Sequence, residues 1–267
     1  MRVILYIFSI VALFTVVYGS RQTVRYAKVP AASGHRGANT IAPENTMASA
    51  DSCIKYGIGN IECDICISQD SVFYLMHDST LDRTTNGTGK ICEWMSADID
   101  TLDAGSWFGP EFAGQRVPRF VDLLRRAKQA GMRLAVDFWN GDMRKLLELI
   151  KEEGMLESCN FSFYKEKDMR LFRSLEPDVK TLQAYVRSQD ELEYVVNEFK
   201  PNVVVVHIDS LTPDFMKKCR GYDLQVVALV LGLEDKTAEN RKAVELGVDI
   251  VATDRPDAFV KEYGRER

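Results

Sequence analysis

Two acidic residues, Glu62 and Asp64, stand two positions apart in an alternating, β-branched segment that runs from residue 60 to residue 68. On a β-strand, residues two apart point to the same face and lie about 7 Å apart along the backbone. Two carboxylates that close together raise each other's pKa unless a cation lies between them. Hard oxygen donors of this kind suit Mg²⁺ or Ca²⁺ better than zinc. The spacing therefore predicts a site for one divalent cation.

The chain contains three histidines, at positions 35, 77 and 207. If residues 69–72 form a two-residue hairpin turn, antiparallel pairing places His77 opposite Asp64 and thus beside the predicted metal. His35 closes the first predicted strand, in Ser-Gly-His-Arg-Gly. Imidazole titrates near neutral pH, so His35 and His77 are candidates for a general acid and a general base. For His207 we expect a hydrogen-bonded structural role.

Arg36 follows the first histidine, and its planar, permanently charged guanidinium suits phosphate oxygens. Glu44 has two alternative roles: it orients Arg36, or it favours the start of the helix that follows. Asp137 ends the third predicted strand and is a candidate third carboxylate for the metal. The alternative for Asp137 is a helix cap.

Short apolar segments alternate with amphipathic ones from residue 28 onward, and no Gly-x-Gly-x-x-Gly is present. Eight strands that alternate with eight helices predict an α/β fold, a closed (β/α)₈ TIM barrel rather than an open doubly wound sheet. A small insertion, residues 79–118, follows the second strand and is expected to cover the barrel mouth. The predicted strands are 29–35, 60–68, 133–137, 159–163, 180–184, 202–207, 225–230 and 249–253, and the predicted helices are 47–56, 119–129, 143–152, 165–175, 189–198, 214–219, 238–246 and 256–263.

The N-terminal residues 1–19 have the charged, apolar and small-residue regions of a secretory signal peptide, with an uncleaved membrane anchor as the alternative. We therefore expect the mature protein, residues 20–267, to be secreted or extracellular, or to lie in the periplasm or another lumen. The formal net charge is −5, and loss of Arg2 with the signal peptide makes it −6. An acidic chain gives no indication of nucleic-acid binding.

Export would place the six cysteines in an oxidising compartment, where they permit three disulfides in 15 connectivities. In a eukaryotic exported chain, Asn86-Gly-Thr and Asn160-Phe-Ser would match the pattern for N-glycosylation. Of these two asparagines we expect Asn160 to be the acceptor.

An ordered series of motifs resembles the glycerophosphodiester phosphodiesterase family over nearly all of the mature chain. The motifs are His35-Arg36-Gly37, Pro43-Glu44-Asn45-Thr46, Glu62-x-Asp64, His77-Asp78-x-x-Leu81-Asp82-Arg83-Thr84-Thr85-x-Gly87-x-Gly89, Leu102-Asp103-Ala104-Gly105, Val117-Pro118 and Gly247-Val248-Asp249-x-x-x-Thr253-Asp254-Arg255-Pro256.

The resemblance implies a TIM barrel with a small inserted subdomain. It also implies one divalent cation, Mg²⁺ or Ca²⁺, held by Glu62, Asp64 and the acidic residue at position 137. His35 and His77 would be the acid–base pair, and Arg36 would bind the substrate phosphate. The implied reaction is hydrolysis of a glycerophosphodiester to glycerol 3-phosphate and an alcohol.

Two departures from the family pattern bear on the substrate. Where the family usually has Glu-x-Lys, this chain has Asp137-Phe138-Trp139, and the family's Trp-Thr-Val-Asn is replaced by Leu229-Val230-Leu231-Gly232. Trp139 is a candidate wall for a choline-like cation or a lipid chain. Two alternatives to the leading function therefore stay open. One is phospholipase D-like cleavage of lysophospholipid or sphingolipid phosphodiesters, with transient contact with a membrane surface, and the other is an inactive barrel that binds a phosphodiester or a protein.

Overall fold

A computed structural model of the chain describes residues 29–163 and 165–264. Eight parallel strands form a closed barrel, because β1 pairs with β2 on one side and with β9 on the other. This closure confirms the predicted (β/α)₈ barrel and excludes the open doubly wound sheet. The strands are β1 (Ala31–Gly34), β2 (Asn60–Ile67), β3 (Phe73–Leu75), β4 (Arg133–Phe138), β5 (Cys159–Phe163), β6 (Leu182–Tyr185), β7 (Val203–His207), β8 (Gln225–Val230) and β9 (Ile250–Thr253), of which β3 lies outside the barrel.

The helices begin where the sequence provides caps. Thr46 forms a capping box with Ser49, while Asp142 and Thr212 accept hydrogen bonds from the first turns of their helices. The helices are α1 (Met47–Lys55), α2 (Ser96–Ile99), α3 (Phe120–Ala130), α4 (Met143–Glu152), α5 (Glu166–Leu175), α6 (Gln189–Phe199), α7 (Pro213–Gly221), α8 (Thr237–Leu246) and α9 (Pro256–Tyr263). No helix in the described ranges is long and apolar enough to cross a membrane.

The main core lies between the barrel and its helices, where the outward-facing strand residues pack. Strand β7 shows the arrangement clearly, because its valines alternate between two environments. Val204 and Val206 belong to the main core, whereas Val203 and Val205 belong to a separate apolar cluster that includes Val227. Both faces of β7 are therefore buried, as is usual for the strands of a parallel barrel.

The β2–β3 hairpin differs by one residue from the predicted register. Ile65 pairs with Leu75 and Ile67 pairs with Phe73, so Met76, rather than His77, donates its backbone N–H to the carbonyl of Asp64, at 3.0 Å. The prediction was wrong because residues 69–71 form a three-residue turn, with Ser71 at a φ of +68°. Strand β3 ends at Leu75, and His77 lies two residues further along the chain, at the barrel mouth.

Residues 79–118 form the insertion, which contains α2 and two short 3₁₀-helices. Its apolar side chains pack as a cluster of their own against Tyr74 and Cys66. Arg83, near the start of the insertion, donates hydrogen bonds to Glu44 in the loop that precedes α1. The insertion is thus joined both to the outer hairpin and to the loop that follows the first barrel strand.

Two expectations drawn from an exported chain are not met. All six cysteines are free thiols, and five of them are buried. The side chain of Asn160 lies in the barrel, where the residue is 7% exposed, so this asparagine is not accessible as a glycosylation acceptor in the folded protein. Asn86 is exposed. The predicted signal peptide, residues 1–19, lies outside the described residues.

Candidate active site

Three carboxylates meet at the carboxyl end of the barrel strands. Asp64 on β2 pairs directly with Asp137 on β4, and Glu62 lies one pleat below on the same face of β2. One oxygen from each of the three side chains lies within 4.8 Å of the others. All three residues are buried: Glu62 is 7% exposed, and Asp64 and Asp137 are each 2% exposed. The structure therefore brings together the three acidic residues that the sequence predicted as metal ligands.

The electrostatics of this cluster fit a bound cation. Burial, together with the charges of Asp64 and Asp137, raises the pKa of Glu62 well above its ordinary value. The guanidinium of Arg36 is a nearby cation, with Nε 3.5 Å from Oδ2 of Asp64. The single positive charge of Arg36 does not balance the negative charges of three neighbouring carboxylates. Their hard oxygen atoms suit Mg²⁺ or Ca²⁺. The residues present thus fit one divalent cation.

Two neighbouring groups orient the carboxylates of β2. Asn45 donates from Nδ2 to Oδ2 of Asp64 at 2.9 Å, and the backbone N–H of Arg36 donates to Oε2 of Glu62 at 2.8 Å. Both Asn45 and Arg36 have left-handed backbone conformations, with φ values of +52° and +56°. Such conformations cost free energy in residues other than glycine and concentrate at functional sites. Here they accompany two hydrogen bonds to the acidic cluster.

The carboxylate of Asp137 is held by a residue of β6, two strands away around the barrel. The hydroxyl of Tyr185, at the end of β6, donates to Oδ2 of Asp137 at 2.7 Å. Asp137 is not a helix cap, because Asp142 caps α4. Tyr185 therefore belongs to the site, although nothing in the sequence had indicated it.

His35 has a carboxylate partner at one ring nitrogen. Its Nδ1 lies 2.6 Å from Oδ1 of Asp254, while its Nε2 lies 3.9 Å from Oε2 of Glu62. Asp254 also accepts from Asn39 and from the backbone N–H of Gly232. Burial alone would raise the pKa of Asp254, but the hydrogen bonds, with that from His35 the strongest, lower it to about 2. An ionised Asp254 favours the proton on Nδ1 and leaves Nε2 directed towards the acidic cluster.

His77 has the same kind of support. Its Nδ1 lies 2.7 Å from Oδ1 of Asp78, and Arg83 donates to both oxygens of that carboxylate, at 2.7 and 3.1 Å. The hydrogen bond from Arg83 is the main reason why the pKa of Asp78 is lowered to about 2. Each histidine is thus held by an ionised aspartate at Nδ1, which fixes the ring and its tautomer.

Glu44 takes the first of its two predicted roles. Its carboxylate accepts from Nη1 of Arg36 at 2.9 Å and from two nitrogens of Arg83, each at 2.8 Å. Burial raises the pKa of Glu44, but the two guanidinium groups lower it by more, so that the net change is downward. The first turn of α1 contains no acidic residue. Glu44 therefore orients Arg36 and connects it to the support of His77.

Trp139 lies between the acidic cluster and His77. Its Nε1 donates to Oδ1 of Asp64 at 3.2 Å, and its ring meets that of His77 edge to face, with centroids 5.7 Å apart. Trp139 also lines a groove that opens beside His77. Leu229, in the second segment that departs from the family pattern, lines a cavity inside the barrel instead. His207 is 53% exposed at its side chain and pairs with Asp209, apart from the cluster.

Four residues of the site were not predicted from the sequence: Asp254, Asn45, Arg83 and Tyr185. Asp254, Asn45 and Arg83 lie in motifs that carried the family resemblance. Asp254 also follows β9 directly, at the barrel end where active sites form, and that position was an available signal. Fold and site together define a (β/α)₈-barrel enzyme that combines a cluster of carboxylates with two carboxylate-supported imidazoles.

Comparisons with known proteins agree with this class. The model of the glycerophosphoryl diester phosphodiesterase family matches residues 35–258. YhdW of Bacillus subtilis is 30% identical over 246 residues, which cover 87% of this chain and 97% of YhdW. The glycerophosphodiester phosphodiesterase of Caldanaerobacter subterraneus is 25% identical, over 85% of this chain and 94% of its own length. The crystal structure of a glycerophosphodiester phosphodiesterase from Agrobacterium tumefaciens superimposes with a TM-score of 0.78 at 30% identity, over 87% of this chain and 99% of the other. The chain belongs to the glycerophosphodiester phosphodiesterase family.

Proposed function

We propose that the chain hydrolyses glycerophosphodiesters to glycerol 3-phosphate and an alcohol, with one divalent cation and with His35 and His77 as the acid–base pair. The observation that carries this proposal is the meeting, at one barrel mouth, of three buried carboxylates and two imidazoles that are each supported by an aspartate at Nδ1. Family membership supports the same reaction.

Glu62, Asp64 and Asp137 would hold the cation, which would neutralise developing charge on the phosphodiester when bound. Arg36 is the protein's own group for a phosphate oxygen. Glu44 and the left-handed backbone at Arg36 hold its guanidinium beside the acidic cluster. Such preorganised charge costs no rearrangement as the phosphorus becomes five-coordinate, which is the main benefit expected from it.

The two histidines exchange protons with the reacting oxygens at their Nε2 atoms. One imidazole takes the proton of the attacking oxygen as the new P–O bond forms. The other gives its proton to the alcohol oxygen as the old P–O bond breaks. Asp254 and Asp78 keep the Nδ1 proton of each ring engaged, so that Nε2 is the nitrogen available for transfer. The attacking oxygen is that of water, which gives glycerol 3-phosphate directly, or that of the glycerol 2-hydroxyl, which gives a cyclic glycerol phosphate that a water molecule then opens to glycerol 3-phosphate.

The groove beside His77 favours a small, water-soluble substrate over a lysophospholipid or a sphingolipid. Trp139 and Cys66 are its less polar members, and the remaining lining residues are His77, Asp78, Ser79, Thr80, Asn140 and Lys165. Six of the eight side chains that line the groove are polar or charged, and a lipid chain would have to lie beside them. We further propose that the protein acts after export, which N-terminal sequencing of the secreted chain would test by identifying Ser20 as the first residue.

The test is hydrolysis of glycerophosphocholine and of a lysophospholipid by purified protein, with Mg²⁺, with Ca²⁺ or with a chelator. The variant His77→Ala should lower kcat/KM by about 100-fold or more. The matched control is His207→Ala, which removes an exposed imidazole from the same barrel end and should leave the rate unchanged. Detection of a cyclic glycerol phosphate by ³¹P NMR would identify the 2-hydroxyl as the nucleophile.

Hydrolysis that survives chelation, or an equal loss of rate in the two histidine variants, would contradict the proposed mechanism. Preference for the lysophospholipid would move the protein to the phospholipase D-like alternative. A folded, metal-loaded protein that turns over neither substrate, nor other phosphodiesters, would be a binding barrel.

A further inference from the structure

A groove of about 600 Å³ opens at the barrel mouth on the side of His77. Its wall includes His77 and Trp139, so it continues outward from the site of the proposed phosphate chemistry. We take His77 as the imidazole that protonates the departing alcohol, because a substituent on that ester oxygen would then extend into this groove. The side chains that line the groove therefore meet the alcohol part of the substrate.

Two charged side chains line the groove, those of Asp78 and Lys165, and among the described residues only Asp78 has a partner of opposite charge. The carboxylate of Asp78 accepts from His77 and from two nitrogens of Arg83, which also binds Glu44. Lys165, just before α5, is exposed, and its ammonium group forms no ion pair or hydrogen bond within residues 29–163 and 165–264. The uncompensated charge of the groove is consequently positive.

Trp139 does not compensate the positive charge of Lys165. Its indole N–H donates to Asp64, and its ring is in edge contact with His77. A quaternary ammonium group that stacked on the indole within the groove would share that space with the ammonium group of Lys165. Like charges in one groove disfavour binding, whereas an anionic group in the same place would gain a partner.

We propose that Lys165 makes the enzyme select leaving alcohols that carry an anionic group, such as a phosphate, over alcohols that carry a quaternary ammonium group. The inference rests on the proposed function, because it concerns the alcohol released at the same site. It assigns Lys165 to substrate selection, at a position next to the groove and remote in sequence from every other site residue.

The experiment compares kcat/KM for three diesters that share the glycerophosphoryl part. They are glycerophosphoinositol 4-phosphate, glycerophosphoinositol and glycerophosphocholine, whose leaving alcohols are anionic, neutral and cationic. The expected order for the wild type is anionic, then neutral, then cationic. Lys165→Met should lower kcat/KM for the anionic diester by about fivefold, chiefly through KM, because a solvent-exposed charge pair contributes modestly. It should leave the neutral diester unchanged and improve the cationic one.

Lys165→Glu should reverse the order of the anionic and cationic substrates. The matched control is Lys167→Met, since Lys167 is an exposed lysine in the first turn of α5 that does not line the groove. It should change none of the three values. An equal effect of Lys165→Met on all three diesters would indicate a structural role and overturn the proposal, as would no effect.

Measurements of alcohol binding test this proposal independently of the proposed function. Calorimetric titration with inositol 4-phosphate and with choline measures the affinity of the groove for each alcohol directly, even in a protein that hydrolyses none of the three diesters. Tighter binding of inositol 4-phosphate that is lost in Lys165→Met supports the proposal. Equal affinity of the wild type and the variant for both alcohols contradicts it.

Discussion

The hydroxyl of Tyr185 donates a hydrogen bond to Oδ2 of Asp137 at 2.7 Å, from a strand that is two places removed around the barrel. Asp137 stands where the family usually has a longer glutamate. The tyrosine fixes the orientation of this shorter carboxylate and thereby its contribution to the acidic cluster. Outer groups that orient metal ligands contribute measurably to metal affinity.

Tyr185→Phe should therefore weaken the affinity for the divalent cation by about tenfold, since removal of such a partner typically costs 10- to 100-fold. The affinity is measured by calorimetric titration with Mn²⁺, Mg²⁺ or Ca²⁺. Tyr194→Phe is the matched control, because Tyr194 donates to the exposed carboxylate of Glu166 at 3.0 Å, away from the site. Unchanged metal affinity in the Tyr185 variant would show that Asp137 needs no such support.

Asp254→Asn should lower kcat/KM by about 100-fold or more, because an amide no longer fixes the Nδ1 proton of His35 as a carboxylate does. The measurement is the rate of diester hydrolysis across pH, beside circular dichroism to verify folding. Asp209→Asn removes the carboxylate that pairs with His207, at 3.3 Å, and should leave the rate unchanged. Similar rates in both variants would mean that His35 keeps its tautomer without help.

The pKa of Asp254 is lowered from 3.8 to about 2 in the folded protein. Below about pH 5 the unfolded chain therefore binds a proton that the folded chain does not, and this contribution to stability disappears as pH falls towards 2. It amounts to about 2 kcal/mol near neutral pH by the usual linkage relation. Urea unfolding of the wild type and of Asp254→Asn should give a difference in free energy of unfolding that shrinks between pH 6 and pH 3. A difference independent of pH would contradict this assignment.

Gly34→Ala should destabilise the protein and disturb His35. A Cβ at Gly34 would lie 2.6 Å from the carbonyl oxygen of Gly37 and 2.7 Å from Sγ of Cys53, so the turn that carries His35 and Arg36 must shift. We expect a loss of about 2 kcal/mol in the free energy of unfolding, within the range for strained core substitutions, together with a lower kcat. Gly59→Ala is the control, since a Cβ there meets no atom within 4 Å. Equal stability of the two variants would show that the turn can give way.

The barrel could be predicted from the sequence because each strand is a short apolar segment followed by an amphipathic one. Strands β5 and β8 have the predicted bounds, and most other bounds differ by one or two residues. Glu62 and Asp64 were predicted to share a face because that property follows from the geometry of a single strand. The register predicted for His77 was wrong, because the turn at Ser71 adds one residue to the hairpin, and His77 instead lies against the ring of Trp139.

Relationships between distant segments could not be predicted in this way. His35 and Asp254 are 219 positions apart, and only closure of the barrel brings them together. The burial of Asn160 likewise depends on which face of β5 turns inward, and the glycosylation pattern contains no information on that. Tyr185 reaches Asp137 across strands whose register no local pattern fixes.

The pairing of His35 with Asp254 also has a consequence for biosynthesis. The carboxylate that fixes the first histidine directly follows the last barrel strand, so a ribosome adds it after all eight barrel strands. A growing chain that already contains His35, His77 and all three acidic residues still lacks this partner. The acid–base pair is therefore completed only when the last barrel strand has been made, and a chain that is terminated before this strand would keep the cation ligands without a fully oriented pair of histidines.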